Sequence, residues 1–189
     1  MRDPHIPTLL KKLQSPNVTQ YDEHWLIEET LQDIKRDWLE RPQHEMLRQL
    51  LSTQNYILRS QYSTHPELRI TAGDICFIDF GHAYQHEAGY QHFGIVLTVV
   101  NGKVFVIPMT SNDDAFTHAY DEKTNPSGKK HLFRFKQCCG LNRDSVLFLN
   151  DCKFINSSRI IEVKGHLEQE SKLFTEIKLR VFECLFKSV

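Results

Sequence analysis

"FGIVLTVVNGKVFVIPMTS", residues 93–111, is two β-rich apolar runs on either side of Asn101-Gly102. Asn-Gly suits the two central positions of a type I′ turn, where both residues need positive φ and the backbone twist matches that of paired strands. The stretch therefore predicts a hairpin, and with it a β-dominated core. Working outward, "DICFIDFG" (74–81), "HLFRFKQCC" (131–139) and "SVLFLNDCKFI" (145–155) are further strand candidates. The closing segment sets Leu173, Ile177, Val181 and Leu185 at helical spacing, predicting an amphipathic C-terminal helix. Several short strands and one terminal helix suit a small, strongly bent antiparallel sheet or barrel.

The texture changes near residue 70. All eight glycines fall at or after Gly73. Residues 21–39 place Ile27, Leu31, Ile34 and Trp38 on one helical stripe, and "RPQHE" interrupts before Pro42. A second pattern sets Met46, Leu50 and Ile57 beside Leu47, Leu51 and Leu58. With a short helix near residues 6–14, this reads as a helical hairpin, and "STHPEL" (63–68) as a linker. The expected division is a helical extension, 1–69, and a β domain, 70–189.

Composition bounds the function. Apolar residues make up 40% and charged residues 25%, as in ordinary globular chains, and the formal net charge is −1. That balance excludes coating of nucleic acid or membrane through bulk charge, though not a local basic groove. No apolar run approaches the roughly 20 residues of a membrane span, and the N-terminal stretch has no signal-peptide core. The five cysteines show no CxxC spacing, and Cys138 and Cys139 are adjacent, a placement that rarely bridges. Free thiols and a cytoplasmic setting are expected.

Chemistry-bearing residues gather in three places. "HAYQHEAGYQH" (82–92) offers His82, His86, Glu87 and His92. These residues have three readings: a zinc site, for which the spacing matches no familiar ligand pattern; a solvated loop; or a proton-transfer site, since histidine takes and gives protons near neutrality. Thr110 and Ser111 end a strand as hydrogen-bond donors, or cap the turn at Asn112-Asp113-Asp114. "SGKKHLFRFK" (127–136) interleaves Lys129, Lys130, Arg134 and Lys136 with Phe133 and Phe135. That is either a basic surface with stacking platforms for single-stranded RNA, or a solvated strand whose aromatics serve the core.

Four blocks in order, "GDICFIDFG" (73–81), "HEAGYQHFGIVL" (86–97), "VIPMTSN" (106–112) and "LNRDSVLFLNDCKFINSSRI" (141–160), resemble the PemK/MazF toxins of toxin–antitoxin systems over roughly residues 70–187. Gly73, Asp74 and Phe80 match the opening block, and Glu87 and Gly89 the next. The family's catalytic arginine falls on His92 and the following proline on Phe93. Its catalytic threonine falls on Thr110. Asp144, Ser145 and Val146 match a later strand, and Arg159 the close of the block. Asn150, Asp151, Cys152 and Lys153 stand where the family has Glu-Gln-Ile-Arg, keeping only the basic residue.

The resemblance implies an α+β fold: a small SH3-like antiparallel β-barrel with a C-terminal helix, here preceded by the N-terminal helical hairpin. It implies a homodimer, a groove for single-stranded RNA, metal-independent endoribonuclease activity without cofactor, and a cognate antitoxin protein as partner. The expected catalytic residues are His92, Thr110, Glu87 and Ser111; Lys129, Lys130, Arg134, Lys153 and His86 are expected to hold RNA. Arginine is a charge stabiliser and histidine an acid or base, so His92 shifts the division of labour. The alternatives are a non-catalytic RNA- or partner-binding module, and a toxin acting on a DNA-handling enzyme. The segment before residue 70, slightly acidic and too apolar to stand alone, is expected either to restrain the groove or offer the antitoxin a platform, or to serve as a plain stabilising appendage.

Overall fold

The computed structural model describes residues 20–187 together with Lys11, so the helix expected near 6–14 lies, Lys11 aside, outside the described residues. The chain forms two compact units, residues 1–46 and 47–189. In the first, helix α1 spans Gln20–Glu40. Arg41 turns back on it through Asp37, Nε to Oδ2, at 2.8 Å. Helix α2, Gln43–Arg59, starts where the carbonyl of Pro42 accepts from the amides of Glu45 and Met46.

The second unit is built on one eight-stranded sheet. Its strands are β1 (Asp74–Asp79), β2 (Gln91–Val100), β3 (Lys103–Thr110), β4 (Ala119–Tyr120), β5 (Lys129–Phe135), β6 (Ser145–Phe148), β7 (Lys153–Asn156) and β8 (Ile160–His166). They run in the order β4-β5-β6-β3-β2-β1-β8, with β7 added against β3. A short helix α3, Asp113–His118, follows β3, and helix α4, Lys172–Phe186, closes the fold. This is the expected α+β arrangement with a C-terminal helix. The decisive hairpin forms as the sequence predicts: Asn101 and Gly102 have φ 48° and 76°, and Val100 pairs with Lys103 across them.

Side chains alternate across a strand, so neighbouring apolar residues must serve opposite faces. Ile75, Ile95 and Ile107 join one cluster, closed by Phe174, Ile177 and Val181 of α4. Their neighbours Cys76, Val96 and Val106 join a second, with Ile155 and Ile160. Both faces of the central strands are therefore covered, which explains their unbroken apolar runs. Each fully buried side chain of this size contributes about 1.5–3 kcal/mol. Helix α4 is started by Ser171, whose hydroxyl accepts from the Phe174 amide at 3.1 Å. Ser171→Ala should cost about 1 kcal/mol, lowering the melting temperature by about 2–4 °C for a chain of this size. Differential scanning calorimetry measures this directly, and an unchanged transition would mean that the cap contributes nothing.

Four expectations need correction. The single strand expected over 145–155 is two, β6 and β7, separated by a 3₁₀ turn at Leu149–Asp151. Both halves pair with β3, so the chain must bend between them to follow its twist. Strand β8 was not expected, although its burial alternates along its length. "STHPEL" is not a loose linker: the His65 ring is buried, and its Nδ1 accepts from the amides of Glu67 and Leu68 at 3.1 and 2.8 Å.

The fourth correction concerns α2. It turns its polar side inward: Gln49 and Ser52 are buried, while Leu47, Leu51, Ile57 and Leu58 stay about half exposed or more. The inward groups are matched. Asn55 donates to Asp79 at 3.0 Å, Gln91 donates to the Arg48 carbonyl at 3.1 Å, and Arg59 donates to the Ile160 carbonyl at 2.8 Å.

Candidate functional site

The last pair between β2 and β3 is Phe93 with Met109. His92 and Thr110 are each one residue further, so the register continued by one step sets them across from one another at the end of the sheet. On its other side His92 pairs with Ile78 of β1. The loop from Phe80 to Tyr90 is closed at its neck by two bonds of 2.7 Å, Phe80 amide to Tyr90 carbonyl and Tyr90 amide to Gly81 carbonyl. Its root is fixed by Asp79, only 1% exposed, which also accepts from the Gly81 amide and the Gln91 amide group.

His92 is half-buried, and its surroundings bear on its protonation. Burial lowers its pKa most, the Arg48 guanidinium lowers it further, and Asp151 opposes both. The neutral ring, able to accept a proton, is thereby favoured over the imidazolium. Asp151 is itself engaged: one oxygen accepts from the Ala88 amide at 2.5 Å and the other pairs with Lys153 at 2.8 Å. Lys153 also donates to the Ala88 carbonyl at 3.5 Å and lies 5.6 Å from the Phe80 ring centre. This pair fastens the 80–90 loop to the 3₁₀ turn beside His92.

Thr110 and Ser111 line a cleft of about 290 Å³ together with apolar Phe93, Met109 and Leu141 and polar residues that include Asn142, Arg143, Ser145 and Lys164. Thr110 Oγ1 accepts from the Asn112 amide at 3.3 Å, while Asn112, not Ser111, caps α3. Lys164 is paired with Glu162. Neither His92 nor Glu87 lines this cleft, whereas Phe93, the next residue along β2, does. Thr110 is the residue common to both, opposite His92 and on the cleft wall.

The remaining expected residues are placed as follows. Glu87 closes its own turn, its Oε2 accepting from the Tyr84 amide at 3.2 Å. His86 is exposed with φ 70°, a left-handed conformation that histidine tolerates better than most residues. Lys129 and Lys130 are exposed at the start of β5, away from the cleft lining. Arg134 is occupied: Nε donates to the Phe116 carbonyl at 3.1 Å, a terminal nitrogen donates to Thr124 at 2.8 Å, and the guanidinium lies 4.8 Å from the Phe116 ring. Phe133 and Phe135 are buried, which fits the core role for these aromatics. Sequence reasoning missed Arg143 and Lys164, which lie in distant segments with no local basic cluster around them. It also missed Asp151, whose signal was the carboxylate two residues before Lys153. Among the described residues no three His, Cys, Asp or Glu side chains converge as metal ligands.

No known family model matches the sequence, and no curated protein matches it either. The likeness lies in the fold. The chain is similar in fold to MazF toxins. It matches the crystal structure of MazF (Form-I) from Deinococcus radiodurans at 17% identity, over 63% of this chain and 98% of that one, with a TM-score of 0.46. The MazE-MazF structure (Form-II) from the same organism matches at 18% identity over 65% and 100%, with a TM-score of 0.44. Mycobacterium tuberculosis toxin MazF-mt6 matches at 14% identity over 61% and 98%, with a TM-score of 0.41. No helix among the described residues is long and apolar enough to cross a membrane.

Proposed function

We propose that the chain is a toxin-like endoribonuclease that cuts single-stranded RNA. One observation carries the reading: Thr110 lines a cleft with Ser111, Arg143 and Lys164, and it lies one register step past the Phe93–Met109 pair, as does His92, whose environment favours the neutral ring. RNA cleavage needs a base to take the 2′-hydroxyl proton, donors for the phosphoryl oxygens, and positive charge to meet the charge that develops there. In this reading neutral His92 accepts the proton as the 2′-oxygen attacks phosphorus. The Thr110 hydroxyl, assisted by Ser111, donates to a non-bridging oxygen. Arg143 and Lys164 supply the charge that an arginine at position 92 would have given. The 5′-oxygen leaves with a proton taken from the imidazolium formed at His92 or from water, and the products are a 2′,3′-cyclic phosphate and a 5′-hydroxyl end. No metal takes part in these steps. A homodimer, a cognate antitoxin and a cytoplasmic setting complete the proposal, and they rest on the sequence resemblance. Incubation of the pure protein with a long unstructured RNA in chelator tests it. Cuts that depend on Thr110 and leave 5′-hydroxyl ends support the reading, and RNA binding without turnover at any pH favours a binding module.

The pH profile tests the role of His92. Its neutral form is the active base, so the rate should fall as pH drops through a pKa below the ordinary 6.5. Arg48→Met removes the second cause of that lowering. The acid limb should therefore move to higher pH, leaving the variant slower than the parent on the acid side and equal to it on the plateau. Cleavage rates between about pH 5 and 8 read this out. A limb that stays in place, or moves the other way, would show that His92 is not the titrating base.

A further inference from the structure

Cysteines adjacent in an extended chain point to opposite faces. Cys138 and Cys139 do not: their Sγ atoms are 3.0 Å apart. The cause is a tight turn, Cys138-Cys139-Gly140-Leu141, closed by the Leu141 amide on the Cys138 carbonyl at 2.9 Å. Its central residues have φ 57° and 92°, the type I′ pattern, with a cysteine in the left-handed conformation that glycine or asparagine usually takes. Packing holds it there. A Cβ on Gly165 of β8 would lie 1.6 Å from the Cys139 carbonyl oxygen, and one on Gly140 would lie 2.4 Å from the Lys164 carbonyl oxygen. Two glycines thus let the turn press on β8 and keep both thiols on one side, half-buried but accessible. Gly140 and Leu141 of the same turn line the cleft that holds Thr110.

We propose that Cys138 and Cys139 are a dithiol modification site, oxidised by hydrogen peroxide to a disulfide between adjacent residues. One of the two thiols, as its thiolate, attacks the peroxide, an S–O bond forms as the O–O bond breaks, and water leaves with one proton taken up. The neighbouring thiol then attacks the sulfenic sulfur, the S–S bond forms, the S–O bond breaks, and a second water departs. Two thiols and one peroxide give one disulfide and two waters. A disulfide is about 2.05 Å long, so the sulfurs must close by about 1 Å and draw in the peptide between them. The Leu141-to-Cys138 hydrogen bond is the contact this strains, and it belongs to the cleft wall.

The full-length protein, reduced and then treated with one equivalent of hydrogen peroxide, tests this by intact mass and peptide mapping. The expected result is loss of two hydrogens within one peptide carrying both cysteines, reversed by dithiothreitol, with faster hydrogen exchange at the Leu141 amide. Phenylarsine oxide, which condenses with two close thiols and releases water, should bind one to one. Cys138→Ser or Cys139→Ser should abolish both reactions. Oxygen addition to a single thiol, a bridge that maps to Cys152 and Cys184 or between chains, or unchanged exchange at Leu141 would overturn the proposal. None of these readouts depends on RNA cleavage.

Discussion

Replacing His92 with alanine should lower the rate of RNA cleavage by about 10²–10⁴-fold, the usual contribution of a positioned acid or base. The loss should appear in the rate of a saturated reaction more than in RNA affinity, because the cleft proposed to take phosphate does not contain His92. Thr110→Val should fall with it, since that hydroxyl is the donor shared by the two halves of the site. Glu87→Gln should change little: its work is to accept the Tyr84 amide in its own turn, and an amide oxygen accepts as well. His92→Arg separates base from charge. Arg48 already bears on this position, and the nearby carboxylate, Asp151, is paired with Lys153. A second guanidinium would enter a place that already has its positive charge, and it could not take the 2′ proton near neutrality. We expect activity to fall. If His92→Ala cleaves like the parent, His92 is not the base; if His92→Arg cleaves faster, the histidine is a weakened substitute for charge.

Local signals carried most of the fold. Asn101-Gly102 fixes a turn by its own conformational needs, and the spacing of Leu173, Ile177 and Val181 fixes which face of α4 goes inward. What could not be read locally depends on partners far along the chain. The break between β6 and β7 is imposed by β3, which pairs with both. Helix α2 is the sharper case. Its leucines make the stronger amphipathic pattern, yet the side turned to the sheet is the polar one, because Asp79, Gln91 and the Ile160 carbonyl offer it hydrogen bonds. The candidate site divides the same way. His92 and Thr110 were singled out by the resemblance of four ordered blocks, whereas Arg143 and Lys164 come to one cleft from segments far apart in the chain, a closeness that no spacing encodes.

The contacts of α2 and the turn after it determine where the chain can be cut. A chain beginning at Pro42 should fold, whereas one beginning at Arg69 should lose most of its stability. Removing residues 1–68 takes away Asn55 from Asp79, the Arg48 carbonyl from Gln91 and Arg59 from the Ile160 carbonyl. It also takes the His65 amide from the buried Ser157 hydroxyl, the Tyr62 carbonyl from Asn156, and Leu68 from the second core cluster. A buried polar group left without its partner costs about 1–3 kcal/mol. Water will reach some of these groups once the segment is gone, so the full sum is not realised. Even two or three such losses, several kcal/mol, compare with the ~5–15 kcal/mol that holds a whole domain folded. A start at Pro42 keeps every one of these bonds, together with the carbonyl that begins α2. Urea titrations followed by near-ultraviolet circular dichroism should give the Pro42 chain a midpoint close to that of the full protein. The Arg69 chain should have a much lower midpoint or no cooperative transition. The same pair bears on whether the N-terminal segment restrains cleavage. Only a truncation that stays folded can answer that, and the bonds made by residues 48–68 mean the cut must fall before them. A chain starting at Arg69 that melts like the full protein would show these buried bonds to be dispensable, and residues 48–68 to be a detachable appendage.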